Sequence, residues 1–383
     1  MDKTVEGILM DLIAIRSCKE NFAGKEAIID YVKSYFSPYK DVLQTEYNVD
    51  KSPAILLSVG QAKYFDIFYT SHLDVTDGSH DDFVPRSYGY KIYGKGAADA
   101  KGGAAMLIKM FENTLRTTYS KKIGLLLTTG QVREDNHPSI DLELMRSLSI
   151  EAKCAIETNN KSLEYNHIVN ACKGVMLLKF TTKGKSAHGS RPWEGENAII
   201  NLMEDLQSIK DIFVDDGSGW NPTLNIGTIT GGNAVNSIPD YAEALIDIRT
   251  TSDKPEEWIL GQIHKHIKHA TVEIVMHKPG FYTNEENVYI QTMKAVMEDA
   301  FHMKVPILKE EGSSNVVALA EKHIPVFLCK PLSYGNRYSN EEWVSIYSLN
   351  TYVELFDVFN KTVCATEELK INTNEQRSGR TFA

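Results

Sequence analysis

The sequence predicts an α/β protein: a doubly wound mixed sheet interrupted by a smaller ferredoxin-like βαββαβ domain. Three observations predict it. Short apolar runs that end in polar residues alternate with helical patterns over the first 157 residues, the signature of a doubly wound sheet. The middle of the chain changes to the order β-α-β-β-α-β, that of the split ferredoxin-like unit. The α/β pattern then resumes, so the second unit is inserted into the first. The boundaries expected are 1–169 and 279–383 for the larger domain and 170–278 for the insert.

Each element has a reason. FDIFYT (65–70), KIGLLLT (122–128) and AKCAI (152–156) are continuous apolar runs, as expected for parallel strands buried on both faces. AAMLIKMFENTLR (104–116) and SIDLELMRSL (139–148) carry helical spacing between them. In the insert, VMLLKFTTKG (175–184), TLNIGTITGG (223–232), YAEALIDIRTT (241–251) and TVEIVMH (271–277) read as strands. GENAIINLMEDLQSIKDIF (195–213) and PEEWILGQIHKHIKHA (255–270) read as helices. After it, 287–301, 314–323 and 348–363 read as helices and PVFLCK (325–330) as a strand. The polar end NTNEQRSGRTFA is expected to fray.

Composition narrows the function. The 383 residues carry 41 basic and 51 acidic side chains, a formal net charge of −10. Nucleic acid and anionic membranes favour basic partners, so neither is expected. No apolar stretch approaches the ~18 residues that span a bilayer, and MDKTVEGILMDLIAIR lacks the pattern of a signal peptide. The five cysteines are scattered without CxxC spacing, as expected of reduced thiols in a cytoplasmic protein.

Ligands of doubly wound sheets bind beyond the carboxyl ends of the strands. His72, Glu134, Asp135 and Glu157 all fall at or just after such ends. Asp74, two residues past His72, points to the same side of an extended segment and can fix the imidazole tautomer. Asp99 lies in YGKGAADAKGG (93–103), where small residues permit close approach; read alone, it is equally a helix N-cap. One histidine among several carboxylates is a nitrogen and oxygen set suited to Zn²⁺, Mn²⁺ or Co²⁺. A glutamate beside it suits a general base.

Four motifs in order carry a resemblance: SHLDV (71–75), YGKGAADAKGG (93–103), GKSAHGSRPWEGENAI (184–199) and GGNAVNSIPDYAEALIDIR (231–249). Over residues 4–360 the chain resembles the zinc-dependent aminoacylase, acetylornithine deacetylase, succinyl-diaminopimelate desuccinylase and carboxypeptidase G family. The resemblance implies a metal-dependent amidohydrolase with one or two zinc ions per chain. His72 and Glu157 would bind one metal, Asp99 would bridge to a second, and Asp135 would be a ligand of that second ion. Asp74 would orient His72, and Glu134 would be the catalytic glutamate. His188 would reach a neighbouring active site across a homodimer, and Asn236 and Arg249 would bind the substrate. The implied substrate is a small carboxylate-bearing amide, an N-acyl amino acid or a peptide.

The chain departs from the family pattern in places. YSNEEWV (338–344) puts Tyr338 where the family's last metal-binding histidine belongs, and Asp135 replaces a glutamate. Both changes fall on the second metal, which makes a chain with one tightly held ion an alternative to one with two; His137 is a candidate substitute ligand. Asn315 in GSSN (312–315) stands where the family usually has aspartate. These changes keep two alternatives open: a non-hydrolytic binding or scaffold relative, and an enzyme using the same groups for another reaction, such as amide formation.

Overall fold

The computed structural model describes residues 3–60, 63–131, 139–159, 163, 165–214, 217–334 and 341–378, with side chains as far as residue 365. Glu134, Asp135, His137 and Tyr338 lie outside the described residues.

The larger sheet is mixed. Its strands run in the order Val42–Val49, Ser52–Val59, Ile123–Thr128, Tyr64–His72, Glu151–Glu157, Val326–Leu328, Ile168–Cys172, Phe281–Tyr282, and Ile307–Glu310 also pairs with Ile168–Cys172. The four from Ile123–Thr128 to Val326–Leu328 are mutually parallel, and antiparallel strands flank them. Apolar side chains cover both faces. Helices Val5–Ala14, Phe22–Phe36, Lys101–Thr114 and Val288–Phe301 pack on one, with the start of Ile346–Ser378. Ile140–Ser147 and Val317–Ala320 pack on the other.

Local chemistry sets the helix starts. Thr4, Asn21, Asn197 and Asn287 each accept from backbone N–H groups of the first turn, which satisfies otherwise orphaned donors. Lys101–Thr114 starts differently. Its N-cap is Ala100 with no side-chain bond, so Asp99 does not cap it. A Cβ on Gly102 would lie 2.4 Å from the Ala97 carbonyl oxygen, and one on Gly103 2.5 Å from Thr158 Oγ1. The two glycines thus let the helix press against its own entry loop and against the residue that follows Glu157.

The insert has the expected order. Thr223–Gly231, Tyr241–Thr250, Gly174–Lys183 and Thr271–Lys278 form an antiparallel sheet in that spatial order. Helices Ala198–Lys210 and Glu256–His266 cover one face, around Met176, Leu178, Phe180, Ile246 and Ile248. The chain enters and leaves at one place: a Cβ on Gly174 would lie 2.6 Å from the Gly280 nitrogen.

Three features differ from the sequence expectation. The helix expected over 314–323 is only Val317–Ala320, because Val316 to Leu319 are all buried and offer no polar face to a longer surface helix. The last helix runs from Ile346 to Ser378, through most of the polar stretch expected to fray; neither Gly nor Pro interrupts it before Gly379. Two N-terminal helices, an edge hairpin (Val42–Val49 with Ser52–Val59) and a small sheet of Arg86–Tyr88, Lys91–Tyr93, Trp343–Ser345 and Ser333–Tyr334 were not foreseen. Strands of two or three residues are too short to show a period.

Candidate active site

The site is built on the parallel strand ends. His72 is the last residue of Tyr64–His72 and Glu157 the last of Glu151–Glu157. The strands are adjacent, with Thr70 opposite Glu157, so both side chains emerge at one edge. Both residues are buried.

Asp99 reaches this edge from the glycine-rich loop. Its Oδ1 lies 3.1 Å from His72 Nε2. On the other side of the ring, His72 Nδ1 bonds the Asp74 backbone oxygen at 3.0 Å and lies 3.3 Å from Asp74 Oδ1. Asp74 therefore holds the imidazole with two oxygens, and the backbone one is nearer. Burial pushes the His72 pKa down, but Asp74 and Asp99 outweigh it and hold the pKa well above the ordinary value. Burial pushes the Glu157 carboxyl up to about 7, against the opposing pull of Ser314, His72 and Lys278.

A second layer holds these groups, and sequence reading did not assign it. Ser314 Oγ donates to Glu157 Oε2. Lys330 Nζ donates to the Ala98 carbonyl at 3.0 Å, and the Ala98 N–H donates to Glu342 Oε2 at 3.2 Å, so the residue before Asp99 is held at both its backbone groups. Asp141, fully buried, accepts from Thr128 Oγ1 and from the Gly130 N–H. Burial and the nearby Asp74 charge push its carboxyl up to about 7. Lys101 Nζ donates to the Ile15 carbonyl at 2.8 Å. The available signal for this layer was polar residues at the ends of buried runs, as in PVFLCK. A single sequence does not distinguish these from ordinary surface boundaries.

The other candidates are in the insert. His188 pairs through its backbone with Ser237 in an isolated bridge, beside Asn236, whose carbonyl accepts from the Gly189 N–H at 2.8 Å. His188 Nδ1 lies 2.8 Å from Ser190 Oγ, and the side chain is exposed. Arg249 lies on the sheet face away from the helices, 2.9 Å from Asp247.

The donor chemistry fits a divalent cation. An imidazole nitrogen and a carboxylate oxygen face each other, the other ring nitrogen is already fixed, and buried acids outnumber the one histidine. Among the described residues no three His, Cys, Asp or Glu side chains converge into a complete ligand group; Asp135 lies outside them.

Residues 170–275 match the M20 model described as a peptidase dimerisation domain. A probable succinyl-diaminopimelate desuccinylase of Staphylococcus epidermidis is 23% identical over 92% of this chain and 96% of its own length. The insert is thus similar to an M20 peptidase dimerisation domain. A probable carboxypeptidase of Aspergillus flavus is 27% identical over 59% of this chain. The chain spans only 56% of that relative's length. The crystal structure of aminopeptidase PepT from Bacillus cereus shares the fold, with a TM-score of 0.76 and 18% identity over 95% of this chain and 99% of the other.

Proposed function

We propose that this chain is a metal-dependent hydrolase that cleaves an amide bond in a small carboxylate-bearing substrate, an N-acyl amino acid or a short peptide. The observation that carries the reading is His72, anchored at Nδ1 by Asp74 and facing Asp99 through Nε2. Residues 1–169 and 279–383 serve as the catalytic domain and 170–278 as lid and dimerisation unit.

His72, Asp99 and Glu157 would hold zinc, with Asp135 completing a second position if that position fills. Bound zinc supplies an activated water and polarises the amide carbonyl. Asp74 keeps His72 in the tautomer that presents Nε2. Glu134 takes the proton from the attacking water and returns it to the leaving amine. His188 from a partner copy stabilises the developing oxyanion. Arg249 and Asn236 bind the substrate carboxylate and its neighbour, a role for which a planar guanidinium is well shaped.

Two features support a homodimer. Thr223–Gly231 is an open edge of the insert's sheet, and the adjacent helix Ala198–Lys210 exposes Ile200 and Met203. All five cysteines are free and buried, which supports a cytoplasmic home.

A screen of N-acyl amino acids and dipeptides with Zn²⁺, Mn²⁺ or Co²⁺ tests the reading. Turnover is expected with at least one class, and Glu134→Gln is expected to lower kcat at least about 100-fold, consistent with loss of a general base, while metal content is retained. Metal-loaded protein inactive on every amide would overturn it.

A further inference from the structure

Asn315 is fully buried and belongs to no element. Its amide nevertheless meets three parts of the molecule. Its Oδ1 accepts from Lys278 Nζ at 3.2 Å. Its Nδ2 donates to Gln131 Oε1 and, at 2.6 Å, to Ser139 Oγ. Gln131 in turn donates its backbone N–H to Asp74 Oδ1 at 3.4 Å, and Asp74 holds His72. Lys278 is the last residue of the strand that leaves the insert. A continuous polar path thus runs Lys278, Asn315, Gln131, Asp74, His72. Ser314, one residue before Asn315, donates to Glu157.

The departure from aspartate makes sense here. An amide offers both an acceptor and two donors, and all are used at one buried point. An ionised aspartate would lose both donations.

We propose that Asn315 is a positioning residue that ties the exit strand of the lid, through Gln131, to the Asp74–His72 pair. It touches no reacting atom. Its role is to make the setting of His72 depend on where the lid strand ends. This inference rests on the hydrolase reading for its purpose, but its test does not.

The test measures Zn²⁺ affinity by chelator competition on the full chain. Asn315→Ala is expected to weaken binding about fivefold, within the range for a residue that acts along a network rather than on the metal-bound histidine itself. Gln131→Ala should give a similar loss, and the double variant should be no worse than either single one, since members of one network couple. Lys278→Met should weaken binding in the wild-type background and not in Asn315→Ala. Under the hydrolase reading, kcat falls with the same pattern while KM for the best substrate holds. Affinity within twofold of wild type in folded Asn315→Ala, or additive losses in the double variant, would overturn the proposal. Should Asn315→Ala fail to fold, Gln131→Ala with Lys278→Met and their double variant decide the same question. A coupled loss of affinity in a chain that turns over no amide would leave the positioning role standing and remove the hydrolase reading. A chain that takes up no Zn²⁺ would overturn both.

Discussion

At the scale of single residues, His72 is held more by backbone than by side chain. The Asp74 carbonyl oxygen is 3.0 Å from Nδ1, whereas the carboxylate is 3.3 Å away. Asp74→Ala keeps the nearer bond. It is therefore expected to weaken metal binding about tenfold, the lower end of the range for outer-shell changes, as read by metal titration. An unchanged affinity would remove the orienting role. The pairing of His72 with Asp74 was legible from HLD, because an extended segment returns to the same side after two residues. The contact of Asp99 with His72 was legible only through the family motif, since the loop alone fitted a helix cap equally well. Ser314, Lys330 and Glu342 were illegible: each acts across more than 150 positions, and one sequence carries no record of such pairings.

At the scale of elements, polar anchors decide where helices end and how tightly they sit. In the insert, buried Asp205 accepts from the backbone N–H groups of Lys268, His269 and Ala270 at 2.8, 2.9 and 2.6 Å. It ties Ala198–Lys210 to the turn that precedes the last strand. Asp205→Ala orphans these donors and is expected to destabilise the insert by about 1–3 kcal/mol, seen as a lower Tm. In the last helix, burial pushes the Asp357 carboxyl up to about 6, although the Asn113 amide favours its charged form. The folded chain then holds this proton to higher pH than the unfolded chain does. This group's contribution to stability accordingly falls as pH rises from about 4 to about 6 and stays low above it. Asp357→Asn is expected to raise Tm at pH 7 and to leave it unchanged near pH 3.5. Equal shifts at both pH values would point to packing instead. Long apolar strands and helices were readable by their periods. The small sheet was not, because it lacks length, and the helix expected over 314–323 was readable as a helix but not as one only four residues long.

At the scale of the whole molecule, the inserted unit was readable from the change in element order alone. Its assembly is the larger question. Met203 is 59% exposed on the helix beside the open strand Thr223–Gly231, and a methionine that bare favours a partner surface. Met203→Lys is expected to shift the chain toward monomer in sedimentation at micromolar concentration. If His188 serves a partner's site, turnover should fall at least about tenfold as that histidine's share of oxyanion stabilisation is lost. A monomeric variant with full activity would separate His188 from the chemistry.

The insert's entry and exit at Gly174 and Gly280 touch, and this shapes how the chain is made. On the ribosome, residues 1–172 emerge with the strand ending in Glu157 lacking its neighbour Val326–Leu328. More than a hundred residues of insert must then be synthesised before that neighbour appears. Because its two ends meet, the insert can close on itself as a finished loop meanwhile, without stretching the growing sheet. The strand bearing Glu157 waits with one edge bare, and Ile168–Cys172, whose partners all follow the insert, waits with both, so these two strands are where the nascent larger sheet is most open to mispairing.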